Sequence, residues 1–143
     1  MNKLELKREL ETKYPHSEAR LKSVACVYIP VTSAAVTKSF FMKHGLVTLS
    51  AQGNVKLASG QGIFFLETKE KQSSNFVTHD WDEADQEYEM EAICFQVTGI
   101  EELHRQMRDN GAAVSDLKDN GGCGLSFYFY DPDGNKYAAW QDV

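Results

Sequence analysis

Three cysteines are the side chains of this chain best suited to bind a metal or attack a substrate. Cys26, Cys94 and Cys123 are far apart in sequence. Such an odd, sparse set is not typical of a disulfide framework, nor of a zinc site built from closely spaced pairs. We therefore interpret Cys26 and Cys94 as two small, half-buried thiols on a concave face that behave like apolar side chains.

The four histidines offer no recognisable catalytic or metal-binding pattern. His16, His44, His79 and His104 include no pair at i, i+4. His44 is expected at the C-terminus of a helix, where positive charge is favourable. All four are interpreted as structural or surface residues. The glycines at 121–124 lack the lysine and helix start of a phosphate loop and predict a hairpin turn.

A run of carboxylates crosses the middle of the chain. Residues 80–91 hold seven carboxylates in twelve positions, interrupted by Trp81 and Tyr88. We interpret this run as a solvated connection between two halves. If it borders a ligand cleft, its charge would attract a cationic ligand, and Trp81 and Tyr88 would offer cation–π contacts at the cleft mouth.

The elements that must position these side chains begin with an N-terminal helix. Leu4, Leu6, Leu10 and Tyr14 fall roughly on one side of it, and Pro15 ends it. This apolar stripe is narrow, so the helix must pack against something else to be stable.

The next elements are a strand, a helix and three further strands. Ser33 or Thr32 can cap the helix, and Gly45 follows it as the C′ residue. The predicted order is a strand at 23–31, a helix at about 34–44, and strands at 46–51, 55–58 and 63–66.

After the polar residues 68–90 the same order returns. Thr98 and Glu101 form a capping-box pattern, and the helix that they begin stops at Gly111. Strands are predicted at about 91–97, 113–117, 124–130 and 136–141, the last two separated by the turn Asp131-Pro-Asp-Gly134.

An internal repeat organises these elements. Val31-Thr32 recurs as Val97-Thr98, and Gly45 recurs as Gly111, in both cases 66 residues later. Each half therefore reads as one strand, one helix and three strands. A unit repeated only twice predicts a pseudo-symmetric domain that arose by duplication.

The residues of these halves resemble the vicinal-oxygen-chelate superfamily of glyoxalases, bleomycin-resistance proteins and extradiol dioxygenases. The most specific match is Phe127-Tyr-Phe-Tyr-Asp-Pro-Asp-Gly-Asn135, followed by Trp140. The resemblance implies an α+β fold: two βαβββ modules form a curved mixed sheet that encloses a cleft, preceded by the N-terminal helix. We expect a helical extension at 1–22 and a single domain at 23–143, with module one at about 23–68, a connection at 69–90 and module two at about 91–143.

The resemblance also implies where metal ligands would lie, on the first and last strands of each module. Aligned on the repeat, these ligand positions are Cys26, Ala92 and Ala138, with the fourth at Phe64, Phe65, Leu66 or Glu67. Alanine supplies no donor, and a divalent ion needs three or four. We therefore predict that the metal-ligand positions are lost and that no cofactor is bound; a soft-metal site of Cys26, Cys94 and Glu67 is the alternative.

The same strand alternation predicts a largely apolar, aromatic cleft. In the fourth strand, Phe65 and Glu67 are expected to face this cleft, or alternatively Phe64 and Leu66. The same side chains could instead fill the cup as core. The candidate ligand-binding residues are Cys26, Tyr28, Phe65, Glu67, Ala92, Cys94, Ala138 and Trp140, with Trp81 and Tyr88 at the mouth.

Three functions follow from this interpretation. The first is binding of a small organic ligand, such as a toxic or antibiotic compound, without a catalytic metal, so that the protein is not an enzyme. The second is a metal-dependent lyase, isomerase or dioxygenase with atypical ligands. The third is a non-catalytic dimerisation module that uses the leucines of the N-terminal helix. Family analogy implies a homodimer, whose cup forms within one chain or between two.

Amino-acid composition disfavours two classes of binding partner, nucleic acids and membranes. The chain has 143 residues, a net charge of −6 and 42% hydrophobic residues. The acidic balance disfavours nucleic-acid binding, which needs a basic face. No apolar run is long enough for a membrane span, and the N-terminus lacks the apolar region of a signal peptide. We therefore expect a cytoplasmic protein that contacts neither nucleic acid nor membrane.

Overall fold

A computed structural model describes residues 1–15 and 18–143, so the interpretation of His16 lies outside the described residues. Helix α1 comes first, followed by module one, a β-hairpin and module two. The bounds are α1 (Lys3–Lys13), β1 (Cys26–Val31), α2 (Ala34–Lys43), β2 (Thr48–Leu49), β3 (Val55–Lys56), β4 (Gly62–Glu67), β5 (Phe76–His79), β6 (Glu87–Met90), β7 (Ile93–Gln96), α3 (Ile100–Asp109), β8 (Lys118–Asp119), β9 (Leu125–Tyr130) and β10 (Lys136–Gln141).

The two modules have the same topology. Module one forms a four-stranded sheet in the order β1-β4-β3-β2, and module two forms one in the order β7-β10-β9-β8. In each sheet the first and last strands are parallel neighbours, and the remaining pairs are antiparallel. The predicted α+β fold of two βαβββ modules is confirmed. No described helix is both long enough and apolar enough to span a membrane.

Local sequence signals account for most helix ends. The Ser33 side chain accepts a hydrogen bond from the backbone of Val36 at the start of α2. Gly45 and Gly111, which the repeat relates to each other, have φ values of 68° and 85° after α2 and α3. A positive φ is easily adopted only by glycine, so these residues end the helices.

The predicted capping box of α3 is wrong. Its N-cap is Gly99, which has a left-handed conformation and no side chain to accept a hydrogen bond. The backbone N–H of Ile100 instead donates to the side-chain oxygen of Gln141, on the neighbouring strand β10, at 2.9 Å. A tertiary contact therefore replaces the local cap that Thr98 and Glu101 suggested.

One hydrophobic core joins the two modules. Phe41 of α2 contacts Phe65 of β4, with ring centroids 5.1 Å apart. The same ring lies 6.3 Å from Phe129 and 5.5 Å from Tyr137, in β9 and β10 of the other module. The helix-bearing faces of the two sheets therefore pack toward each other, and their helix-free faces, here called the outer faces, turn away from each other.

The turn between β9 and β10 fastens module two to the end of β1. The Asp131 carboxylate accepts hydrogen bonds from two backbone N–H groups of its own turn and, at 2.7 Å, from the Tyr137 hydroxyl. Asp133 accepts one from the Thr32 hydroxyl at 2.7 Å, and Asn135 donates one to the Pro30 carbonyl at 3.0 Å. The buried polar groups of this turn thus have partners in both modules.

The acidic connection contains a hairpin that the sequence analysis did not predict. Strands β5 and β6 pair in antiparallel fashion, and the hairpin lies against the outer face of module two. Tyr88 of β6 contacts Tyr128 of β9, with ring centroids 6.2 Å apart. The segment is therefore part of the folded structure and not only a solvated linker.

Candidate functional site

The outer face of module one carries an exposed aromatic pair. In the β1–β4 register, Tyr28 lies opposite Phe64 and Cys26 lies opposite Gly62. The rings of Tyr28 and Phe64 are 5.9 Å apart, and Tyr28 is 65% exposed. Leu66 has the same parity and is also exposed. Lys56 of β3 lies opposite Gly62, and its ammonium group reaches the same surface beside Cys26 and Phe64. This face is therefore largely apolar and aromatic, with a thiol, a phenol and one ammonium group among its polar groups.

The register decides between the two alternatives for β4. Phe65 is buried against Phe41 in the core. Glu67 has the same parity, and its carboxylate accepts a hydrogen bond from the backbone of Ala34 at 3.2 Å, at the start of α2. Because alternate side chains point to opposite faces, Phe65 and Glu67 do not lie with Cys26 and Tyr28. Phe64 and Leu66 do.

The outer face of module two holds the other candidates. Ala138 lies between Cys94 and Tyr128 in the sheet and is buried. The indole N–H of Trp140 donates to the carbonyl of Cys123 at 2.6 Å. Ala92 precedes β7 and is exposed. The module-two candidates thus lie with the outer face of their own module, whereas Cys26 and Tyr28 lie on the outer face of module one.

A cleft of about 920 Å³ separates the two modules. Seven consecutive residues, 92–98, line it, so it runs along the unpaired edge of β7. Its opposite wall comes from module one, and among the described residues no charged side chain contributes to it. Of the candidate ligand-binding residues only Ala92 and Cys94 line this cleft.

A metal of the kind used in this fold family does not fit the donor set. Phe64, opposite Tyr28, is the module-one equivalent of Ala138, opposite Cys94. The ligand positions are therefore Cys26, Phe64, Ala92 and Ala138, which together offer one sulfur atom. Among residues 1–15 and 18–143, no group of three histidine, cysteine or acidic side chains is close enough to hold an ion. The alternative site with Glu67 is excluded by its position beside Ala34.

The Cys94 thiol, on the outer face of module two, is not activated. Partial burial raises the pKa of Cys94, and the nearby charge of Glu91 adds to this effect. A higher pKa keeps the sulfur protonated, which disfavours both metal binding and nucleophilic attack. On module one, the Cys26 thiol beside Tyr28 raises the pKa of that phenol through a hydrogen bond. The Tyr28 phenol is therefore a neutral polar contact at neutral pH.

A buried lysine on the outer face of module two escaped the sequence analysis. Lys136 is 5% exposed, and its ammonium group lies 4.1 Å from the Tyr88 ring centroid and 4.2 Å from that of Tyr128. It donates to the Glu89 carbonyl at 2.7 Å and lies 3.9 Å from the Glu91 carboxylate. The only sequence feature that could have placed Lys136 on this face is its position in β10, two and four residues before Ala138 and Trp140, because alternate residues of a strand share a face.

This arrangement changes the role expected for Tyr88. Its ring already faces an internal cation, and burial raises the pKa of its hydroxyl well above the usual range. Burial also lowers the pKa of Lys136, an effect that the negative charges of Glu91 and Glu89 oppose. Trp81 lies in the β5–β6 turn and is 82% exposed, so only this mouth candidate faces solvent freely.

Comparison with known proteins finds relatives in structure only. No family model matches the chain, and no curated protein matches it. The fosfomycin resistance protein FosX from Listeria monocytogenes superposes with a TM-score of 0.62 at 15% identity, covering 87% of this chain and 96% of FosX.

Two further solved structures give the same result. A putative glyoxalase family protein from Bacillus anthracis has a TM-score of 0.61 at 14% identity, with 89% of this chain and all of that chain covered. TnmS3, an antibiotic-binding protein from Streptomyces sp. CB03234, has a TM-score of 0.62 at 14% identity, with 90% and 100% covered. At these identities the similarity establishes the fold.

Proposed function

Because this chain has the fold of the vicinal-oxygen-chelate superfamily, we propose that it binds a small aromatic or apolar organic molecule without a catalytic metal. The observation that carries the proposal is the exposed pair Tyr28–Phe64 on the outer face of module one. It occupies the place where the family's ligand positions are expected, and it offers ring surface where a metal enzyme needs donors. Ligand sites are typically apolar and aromatic with a few polar groups.

The neighbours divide between this class of function and a metal-dependent one, and the donor set decides between them. TnmS3 is named as an antibiotic-binding protein, and FosX as a fosfomycin resistance protein that has been solved in complex with manganese. Since the donor set of the present chain resembles no metal site, the antibiotic-binding neighbour is the better guide. We favour the form of this proposal in which the ligand is drug-like and the protein is cytoplasmic.

The proposed cup forms between two copies of the chain. The two outer faces of one chain turn away from each other, so they cannot enclose one ligand together. Strands β1 and β7 are edge strands, and an unpaired edge favours association with another chain. A homodimer in which module one of one copy faces module two of the other would bring Tyr28 and Cys94 to one site.

Composition of the purified protein tests the proposal directly. Untagged protein is analysed by native mass spectrometry and elemental analysis. We expect the mass of a dimer, with bound organic ligand and no stoichiometric zinc, manganese, iron or nickel. Stoichiometric metal that survives dialysis against a weak chelator would contradict the metal-free proposal.

Binding of Nile red, an uncharged aromatic dye, tests the site itself. We expect Tyr28→Ala to weaken dye binding about tenfold, which corresponds to about 1.4 kcal/mol. Leu21→Ala is the control, since Leu21 is an exposed apolar residue that lies outside helix α1 and outside both modules. Equal dye affinity in the two variants would exclude the outer face of module one as the site.

A dimerisation module is the second candidate, and the free edges of β1 and β7 favour it. A dimer that carries no ligand and binds no dye would support this second function. The same two experiments therefore separate the candidates.

A further inference from the structure

Helix α1 is well formed yet covers nothing in its own chain. The side chain of Asn2 accepts a hydrogen bond from the backbone of Glu5, and the Glu5 side chain returns one to Asn2, which completes a capping box. No residue of the helix is buried. Leu6 and Leu10 remain 47% and 45% exposed. An isolated helix of 11 residues is marginal in water, so α1 needs a partner surface.

The charges of α1 are sorted around an apolar stripe, here called the α1 stripe and formed by Leu6, Leu10 and Tyr14. At about 100° per residue, three lysines lie within about 60° of its centre, whereas three glutamates lie about 100° or more away. The lysines are Lys3, Lys7 and Lys13, and the glutamates are Glu5, Glu9 and Glu11. The remaining charged residue, Arg8, is the exception and lies about 160° from the centre, among the glutamates. Leu4, expected with the other leucines, lies about 120° from the centre.

A surface with complementary properties lies on the β5–β6 hairpin. A groove of about 370 Å³, here called the hairpin groove, is bordered by the exposed side chains of Phe76 and Trp81. The segment 80–91 around it contains seven carboxylates and no lysine or arginine. The other lining residues are Thr78, His79, Asp80, Ala84 and Met90.

We propose that α1 of one copy docks in the hairpin groove of a second copy. The α1 stripe would cover the apolar groove, its lysines would face the acidic rim, and the exposed ring of Trp81 would accept a cation–π contact. The two contacts are equivalent in a two-fold dimer, so each copy contributes one helix and one groove.

The single chain itself favours a second copy over its own helix as the occupant. The eleven residues between Tyr14 and Cys26 span up to about 38 Å when extended, so tether length does not prevent docking within one chain. Yet α1 buries no residue against its own hairpin. The contact is independent of the proposed ligand cup, because neither the α1 stripe nor the hairpin groove includes Tyr28 or Phe64.

Fluorescence of Trp81 reports the docking. The chain has two tryptophans, so Trp140→Phe in full-length protein leaves Trp81 as the sole emitter. We expect its emission to shift to shorter wavelength as protein concentration rises, and the shift to reverse in high salt. Leu10→Asp should raise the dimer dissociation constant about tenfold or more, whereas Leu4→Asp, on the far side of α1, should leave it unchanged.

Two charge-swapped variants then decide which chain supplies the helix. The helix variant carries Lys3→Glu and Lys7→Glu, and the hairpin variant carries Glu83→Lys and Asp85→Lys. Each alone should lose the shift, because helix and groove then have like charges. An equimolar mixture should regain it, since each chain now meets an opposite charge on the other.

Three results would overturn the proposal. An unshifted Trp81 at every concentration would mean that the groove stays open. Loss of the shift in each variant without recovery in the mixture would place the helix on its own chain. Equal effects of Leu10→Asp and Leu4→Asp would remove the α1 stripe from the contact. Far-ultraviolet circular dichroism of each variant verifies that the fold is retained.

Discussion

At the scale of single residues, the buried polar groups of module two form a set whose members depend on one another. The Lys136 ammonium group is removed from water. It contacts two tyrosine rings and donates a hydrogen bond to one backbone carbonyl instead. Glu91 is also buried, and its Oε2 atom has no hydrogen-bond partner among the described residues. A buried charge is costly unless a neighbouring charge or a hydrogen bond compensates it. Lys136 and Glu91 are thus expected to be coupled energetically.

A double-mutant cycle on this pair measures the coupling. Lys136→Met should lower the free energy of unfolding by about 2–3 kcal/mol, because it leaves the Glu91 carboxylate buried without a counter-charge. Glu91→Gln in the same chain should recover part of this loss. Urea denaturation of the single and double variants gives the coupling energy, and strictly additive effects would show that the two side chains act separately.

His44 provides a pH-dependent prediction at the same scale. It is buried at the C-cap of α2, and burial lowers its pKa, with the positive charge of Lys43 adding to the effect. Below the ordinary pKa of about 6.5 the unfolded chain binds a proton that the folded chain resists, so stability falls as the pH drops through this range. The sequence argument favoured a positively charged His44 at the C-terminal end of α2. Burial of the side chain opposes this charge.

His44→Leu tests this sign. It should flatten the loss of the free energy of unfolding between about pH 6.5 and pH 5, because the proton-binding difference disappears. A steeper loss in His44→Leu than in the parent chain would mean that the histidine is protonated in the folded state.

At the scale of elements, glycine decides how β9 begins and how it meets β10. Gly124 follows a single 3₁₀ turn at Gly121–Cys123 and has a φ of 84°. A Cβ atom there would overlap the carbonyl oxygen of Gln141, which belongs to the backbone and cannot move aside. Gly124 is therefore explained by close packing against the end of β10 rather than by binding of a phosphate.

Two neighbouring glycines make a matched pair for this point. Gly124→Ala should lower the free energy of unfolding by about 2 kcal/mol or more, through backbone strain and overlap with Gln141. Gly122→Ala should change it by less than about 0.5 kcal/mol, since its Cβ would meet no atom within 4 Å. Thermal unfolding of both variants separates the two expectations, and equal melting temperatures would exclude the packing explanation.

At the scale of the whole molecule, the packing of the helix-bearing faces determines what one chain can enclose. Phe41 connects both sheets through its contacts with Phe65 and Tyr137. The helix-free faces consequently point in opposite directions, and the proposed cup requires two chains. The homodimer thereby becomes part of the proposed site and not merely a common property of the fold.

Subunit mixing tests this arrangement. Tyr28→Ala and Cys94→Asp should each weaken binding of Nile red, because they alter opposite walls of the proposed cup. In an equimolar mixture after subunit exchange, half of the dimers are mixed and each has one intact cup, so about a quarter of the high-affinity sites should return. A mixture that binds no better than the separate variants would mean that each cup is built within one chain.

The order of the elements within each module, and the duplication of the modules, could be determined from the sequence alone, whereas the β5–β6 hairpin between them could not. Caps such as Ser33, helix-ending glycines and the Asp131–Asn135 turn act over a few residues, so they can be recognised without tertiary contacts. The absence of donors at two of the four ligand positions, Ala92 and Ala138, followed from the same alignment.

The tertiary structure alone decided which side chains share a surface. A shift of one residue moves a whole strand to the other face, so the choice between Phe64 and Phe65 needed the pairing of β4 with β1. The burial of Lys136 depended on a hairpin 47 residues away in sequence, and the direction of the outer faces depended on the packing of one module against the other. Such contacts join residues that are distant in the chain, and no local pattern encodes them.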